Sequence, residues 1–103
     1  MLIADPGIGF GKTPAHNLQL IQHLAEFAAL DLPILVGPSR KSFIRRLVKK
    51  TGENDIAPDA PMVAIGTQAA VAAAILNGAH IVRVHDVAYT VATCKVVDAI
   101  VNA

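Results

Sequence analysis

Three groups of residues hold the chemistry open to this sequence: Asp5-Pro6-Gly7-Ile8-Gly9-Phe10-Gly11-Lys12-Thr13, Ser39-Arg40-Lys41 and Arg83-Val84-His85. The first sets one carboxylate ahead of glycines at alternate positions and then a lysine. Glycine lets the chain turn through positive φ and lets a ligand come close to the backbone. The second and third groups are cationic. Arginine suits bidentate contact with phosphate and stacking on a flat ring. Two nucleotide-binding motifs are excluded by spacing. A phosphate loop needs a glycine five residues before Gly11, and Pro6 stands there. The dinucleotide fingerprint fails because Gly7, Gly9 and Gly11 fall one residue short of its spacing. Each group alone reads most simply as a turn, a solvated helix face or a structural histidine. Their meaning depends on whether the fold brings them together.

The elements that would do so form a repeating pattern. A short apolar strand is expected over residues 1–4, placing Asp5 at its C-terminal end. Thr13-Pro14 is a helix start, with Thr as N-cap and Pro at the first helical position. An amphipathic helix is expected over residues 14–30, with Leu18, Leu20, Ile21, Leu24, Ala25, Phe27 and Ala28 on one half of the wheel. A second strand, residues 34–36, is wholly apolar, as in a parallel sheet covered on both faces. It is followed by a helix over 42–50 and a surface loop over 51–61. The next helix, expected over 65–77, carries no charge, which implies burial on most sides; Asn77-Gly78 ends it. A third strand is expected over residues 80–84 and a last helix over 90–101. Three parallel strands, each followed by a helix, make an α/β fold.

In a parallel sheet the strands point one way and ligands bind at their C-terminal ends. Asp5, Lys41 and Arg83-His85 would therefore converge. Side-chain alternation puts Ile81, Arg83 and His85 on one face of the third strand and Val82, Val84 and Asp86 on the other. An arginine directed toward a barrel mouth requires an anion or a carboxylate. Arg83 thus implies a phosphate-bearing ligand, Asp5, or both.

The bulk composition sets limits. The chain is 53% hydrophobic and 4% aromatic, so its core is built from Ala, Val, Ile and Leu. Six of its nine basic residues lie between Arg40 and Lys50, but no aromatics interleave to stack on bases, which argues against nucleic acid. One cysteine, Cys94, forbids an internal disulfide and fits a reducing, cytoplasmic compartment. Within an apolar stretch of its helix it reads as a small buried hydrophobe. His16, His23 and His80 lack metal-ligand spacing with each other or with Cys94, so no metal site is expected in this chain. No apolar run is long enough for a membrane span. Three parallel strands leave two unpaired edges, and a (β/α)₈ barrel needs about 250 residues. The expected architecture is a partial (β/α)₈ barrel: residues 1–103 as the C-terminal part of a single domain. No nucleophile–base pair is evident.

The three groups, extended to His16-Asn17, to Gly37-Pro38-Ser39-Arg40-Lys41-Ser42-Phe43-Ile44 and to Asn77-Gly78-Ala79-His80-Ile81-Val82-Arg83-Val84-His85-Asp86-Val87, resemble the last three conserved blocks of the dihydropteroate synthase family. The resemblance covers essentially the whole chain. It implies a pterin-binding TIM barrel of folate biosynthesis. That family condenses 6-hydroxymethyl-7,8-dihydropterin pyrophosphate with p-aminobenzoate, is the sulfonamide target and uses Mg²⁺. By this resemblance Asp5, Gly9, Phe10, Lys41 and Arg83 form the pterin site. Phe10, Lys41 and Ser42 border the p-aminobenzoate or sulfonamide site, Arg83 and His85 hold the anion, and Lys41, Arg83 and His85 act in catalysis. Mg²⁺ would be bound through pyrophosphate and residues outside this chain. The expected partners are these small molecules, a preceding N-terminal part of the barrel, and a second copy in a homodimer of the complete protein. The chain by itself is expected to be inactive. Arg45 stands where family members commonly carry Gly, and residues 62–65 are less polar than usual. Two other readings stay open: a pterin-dependent methyltransferase-type barrel fragment, which should lack the Ser39-Arg40-Lys41-Ser42 block, and a non-catalytic half-barrel subunit.

Overall fold

The computed structural model describes residues 3–9 and 13–103. It is α/β, with helices α1 (Pro14–Gln22), α2 (Ser42–Val48), α3 (Pro61–Leu76) and α4 (Val87–Val101) and strands β1 (Leu35–Val36) and β2 (Ile81–Val82). β1 and β2 are parallel, with Leu35 opposite Ile81 and Val36 opposite Val82. Ala4 forms an isolated parallel bridge to Ile34 on the other side of β1. The Leu35 N–H donates to Ala4 O at 2.8 Å and the Arg83 N–H to Val36 O at 3.0 Å. Three chain segments therefore run side by side in one direction, with β1 central. Of the strand expected over residues 1–4, Met1 and Leu2 lie outside the described residues, and Ala4 contributes the single bridge. The other two strands are shorter than expected, and Ile34 and His80 flank them.

Helix starts follow local chemistry. The His16 N–H donates to the Thr13 hydroxyl at 3.2 Å, which satisfies one orphan donor of α1. The expected helix over 14–30 is two pieces. α1 stops at Gln22, and a 3₁₀ segment, Leu24–Leu30, follows. The Glu26 N–H bonds to His23 O, three residues back, which tightens the turn from 3.6 to 3.0 residues. Over seven residues an apolar pattern does not separate those periods. Burial along the apolar half-wheel is uneven: Ile21 on α1 and Leu24 in the 3₁₀ segment are buried, whereas Leu18, also on α1, is exposed.

α3 begins at Pro61 rather than 65, because Pro takes the first helical position. Its end is as expected: Asn77 is the C-cap and the Ala79 N–H returns to Ala74 O. It is not buried on most sides. Val63, Thr67, Val71 and Ala74 form one buried stripe, while Met62 and Ile65 are 52% and 61% exposed. Lack of charge does not itself produce burial; a helix buries only the faces that neighbours cover. Here α3 is covered by α1, α2 and α4. Cys94, on α4, is half-buried rather than buried, because Thr90 and Val97 take the buried positions of that helix. The core under these helices is Ile8, Ile21, Leu24, Ile34, Val36, Phe43, Ile44, Val63 and Ala74. No helix among the described residues is long and apolar enough to cross a membrane.

Candidate functional site

The site is built on the turn that leaves β1. Gly37, Pro38 and Ser39 are buried, and Arg40 takes the left-handed conformation, φ 57°. A non-glycine residue held there stores roughly 1–3 kcal/mol of backbone strain. Three contacts hold it. The Arg40 N–H donates to Thr67 Oγ1 at 3.2 Å, Arg45 Nη1 donates to Arg40 O at 2.7 Å, and the Arg40 guanidinium pairs with Asp86 at 3.4 Å. Helices α2 and α3 and the cap of α4 thus fix one backbone turn. Lys41 leaves it in extended conformation as the N-cap of α2. Asp86 Oδ2 is buried without a hydrogen-bond partner, so this carboxylate faces Arg40 through its other oxygen alone.

Two glycines make room for the cations. A Cβ on Gly37 would sit 2.7 Å from Arg83 Nη2, so the guanidinium lies against the bare backbone of Gly37. A Cβ on Gly9 would sit 2.9 Å from Lys41 Cδ, so the lysine stem crosses Gly9, whose φ of +89° is itself a glycine conformation. Gly9 is held from behind, where its N–H donates to the buried Asn17 Oδ1 at 2.8 Å. The Asp5 carboxylate is exposed and accepts the Gly7 N–H at 2.8 Å, closing the turn after the first segment. No carboxylate pairs with Arg83 among the described residues, Asp5 included. Arg83 is exposed, so its charge does not demand a partner within the protein, and of the two partners expected for it Asp5 is not one.

The alternation after β2 is regular. Ile81, Arg83 and His85 are exposed, and Val82, Val84 and Asp86 are half-buried. His85 Nδ1 lies 2.8 Å from the Ser39 hydroxyl, and the His85 backbone N–H also donates to that oxygen, at 3.2 Å. Sequence reading found no nucleophile–base pair, yet this serine and histidine, 46 positions apart, do meet. The geometry is not that of an attacking serine, because Ser39 is 4% exposed and its oxygen already accepts from the backbone. Ser42 opens α2 and is exposed. Phe10 lies outside the described residues.

Arg45 and Lys49 fold against the loop that follows α2. Arg45 pairs with Asp55 at 3.2 Å and Lys49 donates to Glu53 O at 2.6 Å. Asp55 sits below the usual carboxylate range, first because the Ile56 N–H donates to it and second because Arg45 does. His80 is structural: its Nδ1 accepts the Ile34 N–H at 3.0 Å beside the sheet. Asn17, Ser39 and Thr67 were missed as site supports. Their common signal is a buried polar side chain, which sequence alone does not display. An apolar cleft of about 430 Å³ between α1, α2 and α3, lined by Leu18, Ile21, Phe43, Leu47 and Ala70, shares none of these residues. The strand ends bring Lys41, Arg83 and the His85 ring onto adjoining segments, a set of donors whose chemistry suits an anion. It offers no nucleophile.

A family model described as "Pterin binding enzyme" matches residues 1–85. The chain is 46% identical over 99 residues to the dihydropteroate synthase of Synechocystis sp., covering 96% of this chain and 32% of that relative. The crystal structure of Yersinia pestis dihydropteroate synthase superposes with a TM-score of 0.88 at 42% identity, covering 98% of this chain and 38% of the other. A Xanthomonas albilineans dihydropteroate synthase solved in complex with 7,8-dihydropteroate gives a TM-score of 0.84 at 40% identity, covering 98% and 37%. The chain spans about a third of the length of the Synechocystis sp. and Escherichia coli relatives it matches.

Proposed function

The chain belongs to the pterin-binding enzyme family, and on that premise we propose that it supplies the last three β/α units of a dihydropteroate synthase barrel. In this reading residues 1–103 are the C-terminal fragment of one (β/α)₈ domain in a cytoplasmic enzyme of folate biosynthesis. The complete barrel, a homodimer, condenses 6-hydroxymethyl-7,8-dihydropterin pyrophosphate with p-aminobenzoate and releases pyrophosphate. The observation that carries it is the meeting of three strand-end groups: Lys41 across Gly9, Arg83 across Gly37, and His85 on Ser39.

Each group has a physical task in that reaction. Asp5, anchored by the Gly7 N–H, offers a carboxylate to the donor edge of the pterin. Arg83 stacks its planar guanidinium on the ring and reaches the pyrophosphate; His85 adds a second donor there. Lys41 stands between the pterin and the arylamine, with Ser42 bordering the p-aminobenzoate or sulfonamide position. The leaving pyrophosphate gains charge as the C–O bond breaks, so fixed cations aimed at it lower the barrier. The amine nitrogen attacks the same methylene, and holding the two reactants in line is the remaining requirement. No protein nucleophile takes part, in keeping with the buried hydroxyl of Ser39.

The family resemblance also implies Mg²⁺. No cluster of three or more His, Cys, Asp or Glu that could hold a metal ion forms among the described residues, so they offer the ion no cage, and the steps above involve none.

The test is a chimera in which this chain replaces the matching third of the Yersinia pestis enzyme. Formation of 7,8-dihydropteroate from both substrates, blocked by a sulfonamide, is the expected result. A folded chimera that binds neither substrate rejects the reading.

A further inference from the structure

The Ser39–His85 contact has a polarity that the hydrogen count decides. A backbone N–H only donates, so the 3.2 Å contact from His85 N uses one lone pair of Ser39 Oγ. The second contact, 2.8 Å to Nδ1, can run either way. If Nδ1–H donates, the serine hydrogen must find another acceptor. The Ser39 side chain is buried, and no other acceptor meets it among the described residues. A buried donor left without a partner is strongly disfavoured. If the hydroxyl donates, all three groups are satisfied at once.

We propose that Ser39 is a positioning residue. Its hydroxyl donates to His85 Nδ1 and fixes the neutral ring in the Nε2–H tautomer, so that Nε2 presents a donor to a phosphate-type anion. Two contacts from one oxygen, to the ring and to the backbone of the same residue, also fix the ring's rotation. Nε2 then lies on the side of the ring away from Ser39, and His85 is exposed on the face it shares with Arg83. The left-handed turn at Arg40 immediately follows Ser39, so the clamps on that turn hold the serine as well. The identity of the anion rests on the dihydropteroate synthase reading; the polarity of the hydrogen bond does not.

The experiment is ¹⁵N NMR of the His85 ring in the 103-residue chain, with inorganic pyrophosphate as the probe. The parent should show the Nε2–H tautomer in about tenfold excess. A slowly exchanging Ser39 hydroxyl proton should correlate with Nδ1. Ser39→Ala should drop the excess severalfold, and Ser39→Thr, which keeps the hydroxyl, should restore it. Pyrophosphate should shift Nε2 in the parent and shift it less in Ser39→Ala. A parent ring in the Nδ1–H form overturns the proposal without need of a variant, as does an unchanged tautomer ratio in folded Ser39→Ala. If the tautomer behaves as expected but pyrophosphate leaves Nε2 unmoved, the anion reading fails and the hold of Ser39 on the ring stands.

Discussion

Replacing Gly37 by Ala separates ligand binding from stability. Gly37 has no positive φ, so alanine fits its backbone. The new methyl would lie 2.7 Å from Arg83 Nη2 and 3.2 Å from Cζ, against an ordinary contact of 3.4 Å or more. The guanidinium must therefore retreat by at least about 0.7 Å, and as the end of a flexible side chain it can do so without disturbing the core. Losing glycine's freedom in the unfolded chain favours the folded state by about 0.4–1 kcal/mol. Thermal unfolding should thus show an unchanged or slightly raised midpoint, by up to about 5 °C. Displacing a charged donor from an anion loses about 1.5–3 kcal/mol, or roughly ten- to a hundredfold in affinity. Calorimetry with pyrophosphate on the parent and variant measures that term. Unchanged affinity would mean that Arg83 does not use the space over Gly37. A midpoint lowered by ten degrees or more would mean that the strand itself, rather than the arginine, needs the glycine.

Two other tests bear on the same face and a third on the loop after α2. Asp5→Asn keeps an oxygen for the Gly7 N–H and removes only the charge, so pterin affinity should fall by about 1.5–3 kcal/mol with stability unchanged; a pterin titration showing no loss would remove Asp5 from the site. Arg83→Lys in the chimera should weaken the pyrophosphate-bearing pterin more than a pterin lacking pyrophosphate, since an ammonium keeps charge but not the planar fork; equal losses for the two ligands would place the anion elsewhere. For Asp55, the lowered carboxyl gives a stabilising contribution that is present above the ordinary carboxylate value of 3.8 and is lost as the pH falls through the lowered folded value. Because the Ile56 N–H is the larger cause and Arg45 the second, Arg45→Met should return the Asp55 titration midpoint, read by NMR, only part of the way.

Local chemistry was readable in the sequence wherever a few adjacent residues decide the outcome. Thr13-Pro14 starts α1 and Asn77-Gly78 ends α3 because caps act within one turn. The alternation of Arg83 and His85 against Val82 and Val84 follows from strand geometry alone. Pro61 falls in the expected loop but opens α3, because a proline at a helix start and one at a loop end look alike in sequence. The break after Gln22 and the outer, exposed side of α3 depend on what packs against them, which periodicity does not report. The supports of the site were invisible for a related reason. Ser39 with His85, Arg40 with Thr67 and with Asp86, and His80 with Ile34 are pairs 27 to 46 positions apart. The parallel pairing of β1 and β2 brings the first, third and fourth pairs together, and the packing of α3 on the turn brings Thr67 to Arg40.

The turn at Arg40 has a consequence for the order of assembly. Its left-handed backbone is unfavourable in isolation, and the groups that hold it arrive from α2, from α3 and from the cap of α4. A nascent chain that has formed β1 and α2 but not docked α3 and α4 would let this turn relax to an ordinary right-handed conformation. Lys41 would then leave Gly9 and Ser39 would have no histidine to meet. Closing loops of this length precedes any reward from the contacts they enable, so the turn is set among the last events of folding. On the proposed reading, anion binding would therefore report on completion of this whole segment: a species with full helical content but undocked α4 would lack the assembled site.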